Sequence, residues 1–292
     1  PGEIRLAPRD VRVRRRSPGD RSAGRKRSLS KAGRGRRQRR RLGGGVGRRA
    51  ARFCRYARGI SVVPGDRSTL GLEILYEDSA LLFINKPPDI VVQRSYDPNE
   101  PELLDLAQQH AGKLFLMQRL DRGTSGVIFF SKLAEINSRI TRQFETKQIR
   151  KRYLALCEGE LAEKQTVDAA MARIGPISFG VREEGKRALT SIGPLRAMSN
   201  GSLVAIELQT GRTHQIRVHL AAIGHPIIGD WLYGMRNAPR PMLHAAEVAM
   251  VHPLKNERLR VFARPPGDFW KVAEERKIVS RGEDIMTLAE CS

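Results

Sequence analysis

From about residue 72 onward, short apolar runs closed by turns alternate with stretches of helical spacing. Leu81-Leu82-Phe83-Ile84 is continuous and apolar up to the Pro87-Pro88 turn, which predicts a buried strand, and Val127-Ile128-Phe129-Phe130 predicts a second. Leu133, Ile136, Ile140 and Phe144 recur at helical spacing, so residues 133 to 147 are expected to form an amphipathic helix with Arg139 and Arg142 off its apolar stripe. Tyr153 to Leu161 reads as a strand with Tyr153, Ala155 and Cys157 on one face, and Leu203 to Gln209 as another that runs into a Thr210-Gly211 turn. Thr213 is placed to cap a helix whose apolar side is Ile216, Leu220 and Ile223, ending at Gly224 with Pro226 beyond. Strands with inserted helices, without regular βαβ alternation, predict an α+β fold: a mixed, largely antiparallel sheet with flanking helices. No internal repeat is present.

Charge divides the chain. Residues 1 to 70 carry 23 Lys and Arg against 4 Asp and Glu, a net of +19, while the remaining 222 carry 30 against 27, a net of +3. The basic excess therefore belongs to the leading segment, typified by Arg25-Lys26-Arg27 and Arg34-Gly35-Arg36-Arg37-Gln38-Arg39-Arg40-Arg41. That segment lacks apolar periodicity, and self-repulsion with little surface to bury predicts disorder. It fits a nucleic-acid-binding tail, an organelle transit peptide or sequence lying upstream of the natural protein. The expected organisation is this basic segment over 1–70, one folded domain over 71–275 and a C-terminal tail over 276–292. No run of about 18 apolar residues occurs, which argues against a membrane span or a secretory signal core. Cys54, Cys157 and Cys291 are odd in number and far apart, without Cys-x-x-Cys spacing. Reduced thiols, no structural zinc and a cytoplasmic setting are expected, with organellar targeting by the Arg-rich segment as the alternative.

The segment Gln118-Arg119-Leu120-Asp121-Arg122-Gly123-Thr124-Ser125-Gly126 places one carboxylate between two arginines in a glycine-closed turn. Opposite charge close by favours the carboxylate form, and a held carboxylate can serve as a nucleophile. The competing reading is structural, since Asp before Gly, Thr and Ser commonly accepts backbone N–H bonds in a turn.

A second segment, Gly211-Arg212-Thr213-His214-Gln215-Ile216-Arg217-Val218-His219-Leu220, is followed by Gly224-His225-Pro226-Ile227-Ile228-Gly229-Asp230 and then Tyr233. With the Asp121 segment it resembles the RluA-type pseudouridine synthases, whose motifs read HRLD then TSG, GRTHQIRVH, and GHPIIGD with an aromatic close behind. Ile84-Asn85-Lys86-Pro87-Pro88, Arg152-Tyr153-Leu154-Ala155, and Leu243-His244-Ala245 with His252-Pro253 match in the same order, so the resemblance spans Leu72 to Trp270. Two departures stand out. Gln118 occupies a position where the family usually has His, and Asp89 with Gln93 positions where Gly and His are common.

The resemblance implies a pseudouridine synthase-like catalytic domain that isomerises uridines in structured RNA, rRNA or tRNA. The uracil N-glycosidic bond breaks, the base rotates, and the link re-forms through carbon. That sequence involves no redox change, so neither cofactor nor metal is implied. Asp121 becomes the carboxylate near sugar and base, a duty comparable to that of glycosidase carboxylates. Arg217 pairs with it, Tyr153 stacks on the target base, and Arg119 enters the space the flipped base vacates. Arg122, Lys147, Arg150, Lys151 and Arg152 are expected along the RNA, with Arg212 and His214 contacting its backbone or supporting the site.

On the residues alone, Tyr153 reads more commonly as a core aromatic, Arg217 as readily as an exposed helix arginine, and the 147–152 charges more often as a solvated face. His214 and His219, five apart, do not stack on one helix face, which weighs against a metal pair. Two other classes compete: a catalytically silent RNA-binding module, and a hydrolase using Ser125, although Gly123-Thr124-Ser125-Gly126 lacks the Gly-x-Ser-x-Gly elbow. A monomer that avoids membranes is expected.

Overall fold

A computed structural model describes residues 12–15, 60–61, 71–93 and 100–281. In chain order the strands and helices are β1 (Arg12–Arg15), β2 (Ile60–Ser61), β3 (Glu73–Glu77), β4 (Leu81–Lys86), α1 (Leu103–Ala111), β5 (Phe115–Leu116), β6 (Ser125–Ser131), α2 (Asn137–Glu145) and β7 (Arg150–Cys157). They continue with β8 (Gln165–Asp168), β9 (Met171–Arg173), β10 (Phe179–Val181), β11 (Leu189–Met198), β12 (Gly201–Leu208), α3 (Gln215–Ala222), β13 (Leu243–Val251), β14 (Arg258–Phe262) and α4 (Gly267–Glu275). Among the described residues one large sheet runs in the order β1-β8-β11-β12-β7-β13-β6-β4-β3, with β14 on β13 and β5 on β6, while β9 and β10 form a separate hairpin. Its ladders are antiparallel except β13 with β6 and β14 with β2. This is the expected α+β architecture.

Alternation along β4 and β6 explains why both read as continuous apolar runs. Leu82, Ile84, Ile128 and Phe130 pack into one core on one face, and Leu81, Phe83, Val127 and Phe129 into a second core on the other. A strand covered on both faces has no polar side to show. The second core receives α2 through Ile136 and Ile140, with Phe83, Phe129 and Phe144 stacked in file at 5.0 and 6.2 Å between ring centroids. The first receives α1, α3 and α4 through Leu103, Ile216 and Phe269.

Several expectations shift by local chemistry. The helix expected over 133–147 opens with a 3₁₀ turn at Ala134–Ile136 and becomes α-helical only from Asn137, with Arg139 and Arg142 exposed as expected. The strand expected over 153–161 starts earlier, at Arg150, and ends at Cys157. Thr213 does not cap α3. The cap residue is His214, in the left-handed region at φ 57°, and the preceding loop is tied by Gln215, whose Oε1 accepts from Thr210 Oγ1 at 2.8 Å and Arg212 N at 3.0 Å. Nor is α3 amphipathic, since Gln215 through Leu220 are all buried.

Beyond α4, Ile278 and Val279 are buried in the main core, so the folded domain extends past the expected boundary at 275. In the basic leading segment, residues 12–15 pair with β8 and residues 60–61 with β14, so disorder does not extend to those six. The expectation for the rest of 1–70, and for the tail from 282, lies outside the described residues. Among the described residues no helix is long and apolar enough to cross a membrane.

Candidate active site

Four adjacent strands carry a row of paired residues, Ile206 on β12, Tyr153 on β7, Ala245 on β13 and Gly126 on β6. This register sets Tyr153 beside the turn that precedes β6, where Thr124 N–H closes on the Asp121 carbonyl at 3.0 Å. At the β6 end of the row Gly126 has φ 111°, and a side chain there would overlap the backbone of Ala245, so the parallel pairing requires glycine.

The turn itself is clamped from beneath. Lys86, wholly buried, donates from Nζ to the carbonyls of Pro87 at 2.8 Å and Arg122 at 2.9 Å, and Asp89 N–H reaches the same Arg122 carbonyl at 2.9 Å. Arg240 donates to the Gly123 carbonyl at 3.0 Å while its other nitrogens hold Asp268 at 2.6 and 3.0 Å. Burial first, and then the charge of Arg240, push the Lys86 ammonium down to about 7. Asp89 stands at φ 63°, a left-handed conformation that Asp is among the few non-glycine residues to tolerate.

The cation that meets Asp121 comes from α3. Arg217 donates from Nη1 to Asp121 Oδ2 at 3.2 Å, and from Nε and Nη2 to the two oxygens of Asp230 at 2.7 and 2.8 Å. Desolvation opposes the charge on Arg217, but the bonds and fields of Asp230 and Asp121 outweigh it and raise the pKa further. Tyr233 places its ring 5.1 Å from the same guanidinium, and its hydroxyl lies 2.8 Å from His214 Nδ1. Tyr153 is buried, and burial, reinforced by Asp121, pushes its phenol well above the ordinary value. A neutral phenol can stack and donate a hydrogen bond, but it is a poor source of a phenolate base. Asp121 keeps 30 % of its side-chain surface open. The site is thus an accessible carboxylate braced by a buried cation and backed by an aromatic wall.

Comparison with known proteins shows the family. The family described as RNA pseudouridylate synthase matches residues 80–222. An uncharacterised RNA pseudouridine synthase of Bacillus subtilis, YhcT, is 38% identical over 210 residues, covering 68% of this chain and 70% of that protein. The chain belongs to the RNA pseudouridylate synthase family. It is also similar to the ribosomal large subunit pseudouridine synthase D of Zymomonas mobilis, 32% identical over 225 residues and covering 68% of this chain and 70% of that one. The structure of human RNA pseudouridylate synthase domain containing 1 aligns with a TM-score of 0.58 and 28% identity, over 70% of this chain and 86% of that one. The chain is accordingly an RNA pseudouridine synthase, an isomerase of the RluA type.

Within this pseudouridine synthase the structure gathers Asp121, Tyr153, Arg217 and His214 and disperses the other expected residues. The neighbours of Asp121 in sequence are not its partners. Arg119 is exposed, and Arg122, 58% exposed, pairs with Glu100. Arg212 is exposed and donates to the Arg187 carbonyl at 3.3 Å. The 147–152 cluster splits. Lys147 and Arg150 are exposed, whereas Arg152 pairs with Glu207 at 3.5 Å, and Lys151, its pKa lowered by burial, lies 5.5 Å from the Phe144 ring. His219 turns away from His214 to bond Thr190 Oγ1 at 2.9 Å and the Ala169 carbonyl at 3.1 Å.

Ser125 Oγ does lie 2.9 Å from His244 Nδ1, but both are buried and the other ring nitrogen bonds the Ala263 carbonyl, not a carboxylate. This contact is structural and makes no triad.

Asp230, Tyr233, Lys86 and Arg240 had no assigned part in the site. In the sequence Asp230 and Tyr233 stand out only as part of a motif; a physical hint for Asp230 is an acid at the end of an otherwise apolar run, a pattern that calls for a buried cation nearby.

Proposed function

We propose that this chain converts specific uridines in structured RNA, rRNA or tRNA, to pseudouridine, with Asp121 as the catalytic carboxylate. The observation that carries the reading is the buried Arg217, held in both oxygens of Asp230 and aimed with its remaining nitrogen at the accessible Asp121. The N1–C1′ bond of the uridine breaks with Asp121 as nucleophile or charge stabiliser, and the C5–C1′ bond forms. N1 gains a proton, C5 loses one to solvent, and no electrons are exchanged. Tyr153 stacks on the detached uracil and keeps it in register for the second bond. The target must leave its stack, at a cost of a few kcal/mol, and the exposed Arg119, two residues before Asp121, suits the vacated space because a planar guanidinium stacks and donates together. Arg122, Lys147, Arg150 and Arg212 supply exposed charge for the backbone. Ribosomal RNA is the favoured substrate, since relatives such as the Zymomonas mobilis protein are named for the large ribosomal subunit.

The test is tritium release from rRNA and tRNA made with uridine tritiated at carbon 5, comparing the full chain with Asp121→Asn. Release is expected from the wild type alone, with RNA affinity of the variant within a few-fold. Equal release by Asp121→Asn ends the assignment of Asp121. No release from either RNA, with binding intact, would turn the reading to a silent RNA-binding module.

A further inference from the structure

A chain of contacts, hydrogen-bonded as far as His214, runs from the β9–β10 hairpin to Asp121. Tyr233 Oη accepts the Phe179 N–H at 2.9 Å and lies 2.8 Å from His214 Nδ1. On the far side of the imidazole, Nε2 lies 3.8 Å from Asp121 Oδ2, the oxygen that also accepts from Arg217 Nη1. The rings of Phe179 and Tyr233 meet His214 edge to face at 5.8 and 5.6 Å. Its backbone, at φ 57°, is in a region that a non-glycine residue keeps only where its surroundings over-determine it.

The Tyr233 end is compatible with one tautomer, and the carboxylate end selects it. The tyrosine hydroxyl already accepts from Phe179, so its own proton is free to go to Nδ1. The carboxylate is acceptor-only, so the ring nitrogen facing it carries the hydrogen. The reverse tautomer would point a lone pair at a lone pair.

We propose that His214 is a positioning residue for Asp121. As the Nε2–H tautomer held by Tyr233, it joins Arg217 in flanking Oδ2 and leaves Oδ1 to meet the target nucleotide. The groups facing the imidazole are Asp121 from the turn, Arg217 on its own helix, Asp230 and Tyr233 from the 229–233 loop, and the Phe179 backbone and ring from β10. Burial lowers the His214 pKa; Asp121 and Asp230 oppose this and Arg217 adds to it. Protonation at low pH would put a hydrogen on Nδ1, turn the Tyr233 hydroxyl away and draw Asp121 toward a second cation. Turnover therefore acquires an acid limb that belongs to His214.

The proposal rests on Asp121 being the catalytic carboxylate, but its first test needs no catalysis. Two-bond ¹H–¹⁵N spectra of the full chain labelled at histidine nitrogen, with His214 assigned by its loss in His214→Gln, are expected to show the Nε2–H form at pH 8. In Tyr233→Phe that preference is expected to relax. In turnover, His214→Ala is expected to lower kcat by roughly 10- to 100-fold with KM within about threefold, the size of effect a misplaced catalytic group produces. His214→Gln, which can present an N–H at the Nε2 position and does not titrate, is expected to recover kcat to within about fivefold of wild type and to lose the acid limb. An Nδ1–H tautomer, wild-type kcat in His214→Ala, or an unchanged acid limb in His214→Gln would each overturn the proposal. A wild type that makes no pseudouridine would instead sink the reading of Asp121, while the spectra still judge the His214 geometry.

Discussion

Arg217 is bound more tightly to Asp230 than to Asp121. Both Asp230 oxygens receive it, at 2.7 and 2.8 Å, in a position closed to solvent, whereas the contact with Asp121 is a single 3.2 Å bond. One Asp230 oxygen also accepts the N–H groups of Leu232 and Tyr233 at 3.1 and 3.3 Å. Asp230 is therefore the seat of the arginine, and Asp121 meets a cation whose plane is already set. Only a rigid fork spans two carboxylates in this way; a point-charge ammonium does not.

Arg217→Lys is expected to lose about 100-fold or more in kcat, because the lysine cannot hold both acids in place. It should also cost roughly 1.5–3 kcal/mol of stability, because the charge is kept but the two-pronged hydrogen bonding to Asp230 is not. Single-turnover rates and guanidinium denaturation measure the two separately. Wild-type turnover in this variant would remove the bridging geometry from the mechanism.

Stability should depend on pH through His219 and His244. Burial first pushes each down to about 4, from an ordinary value of 6.5, although the carbonyls of Ala169 and Ala263 pull the other way. Between those values the unfolded chain binds protons that the folded one refuses. The free energy of unfolding therefore falls as pH drops from 6.5 to 4, by up to about 3 kcal/mol for each histidine, with no further loss from these groups below that. Carboxylates also titrate in the lower part of the window. Denaturation midpoints at several pH values, wild type beside His244→Gln, separate the histidine contribution; an unchanged slope in the variant would refute it.

The leading basic segment is expected to strengthen RNA binding without taking part in turnover. Replacing Arg34, Arg36, Arg37, Arg39, Arg40 and Arg41 with Ser should flatten the dependence of log affinity on log salt, by roughly 0.7 to 0.9 for each phosphate that these arginines no longer neutralise. The kcat should stay within about twofold of wild type, because the loss of uniform binding energy appears in affinity and not in turnover. Filter-binding titrations across salt concentrations give the slope, and an identical slope would mean that these arginines do not touch RNA.

Much of this site was legible in the chain because its motifs are local. The Asp121 turn, the strand bearing Tyr153 and the helix bearing Arg217 each announce themselves over a few residues through turn chemistry or apolar periodicity. The partners of Asp121 were harder. The flanking Arg119 and Arg122 look like its counter-ions in sequence, but the turn directs Arg122 to Glu100, and the bracing cation arrives from α3, 96 positions away. Thr213 looked like a helix cap by residue type, yet Gln215 satisfies the loop by bonding back to Thr210 and Arg212.

By itself, then, the sequence determined the buried strands at 81–84 and 127–130 and the helical stretches within 133–147 and 215–222, because backbone preference and hydrophobic period act over one or two turns of chain, and it pointed to the side chains of the site through its resemblance to a family. The tertiary structure decided the remainder: that β13 runs parallel to β6 and brings Gly126 against Ala245, that Lys86 and Arg240 clamp the Asp121 turn, and that Asp230 seats Arg217. Those relations join residues far apart in the chain. They exist only once packing has removed water and buried charges and donors must find partners in whatever neighbours the fold supplies.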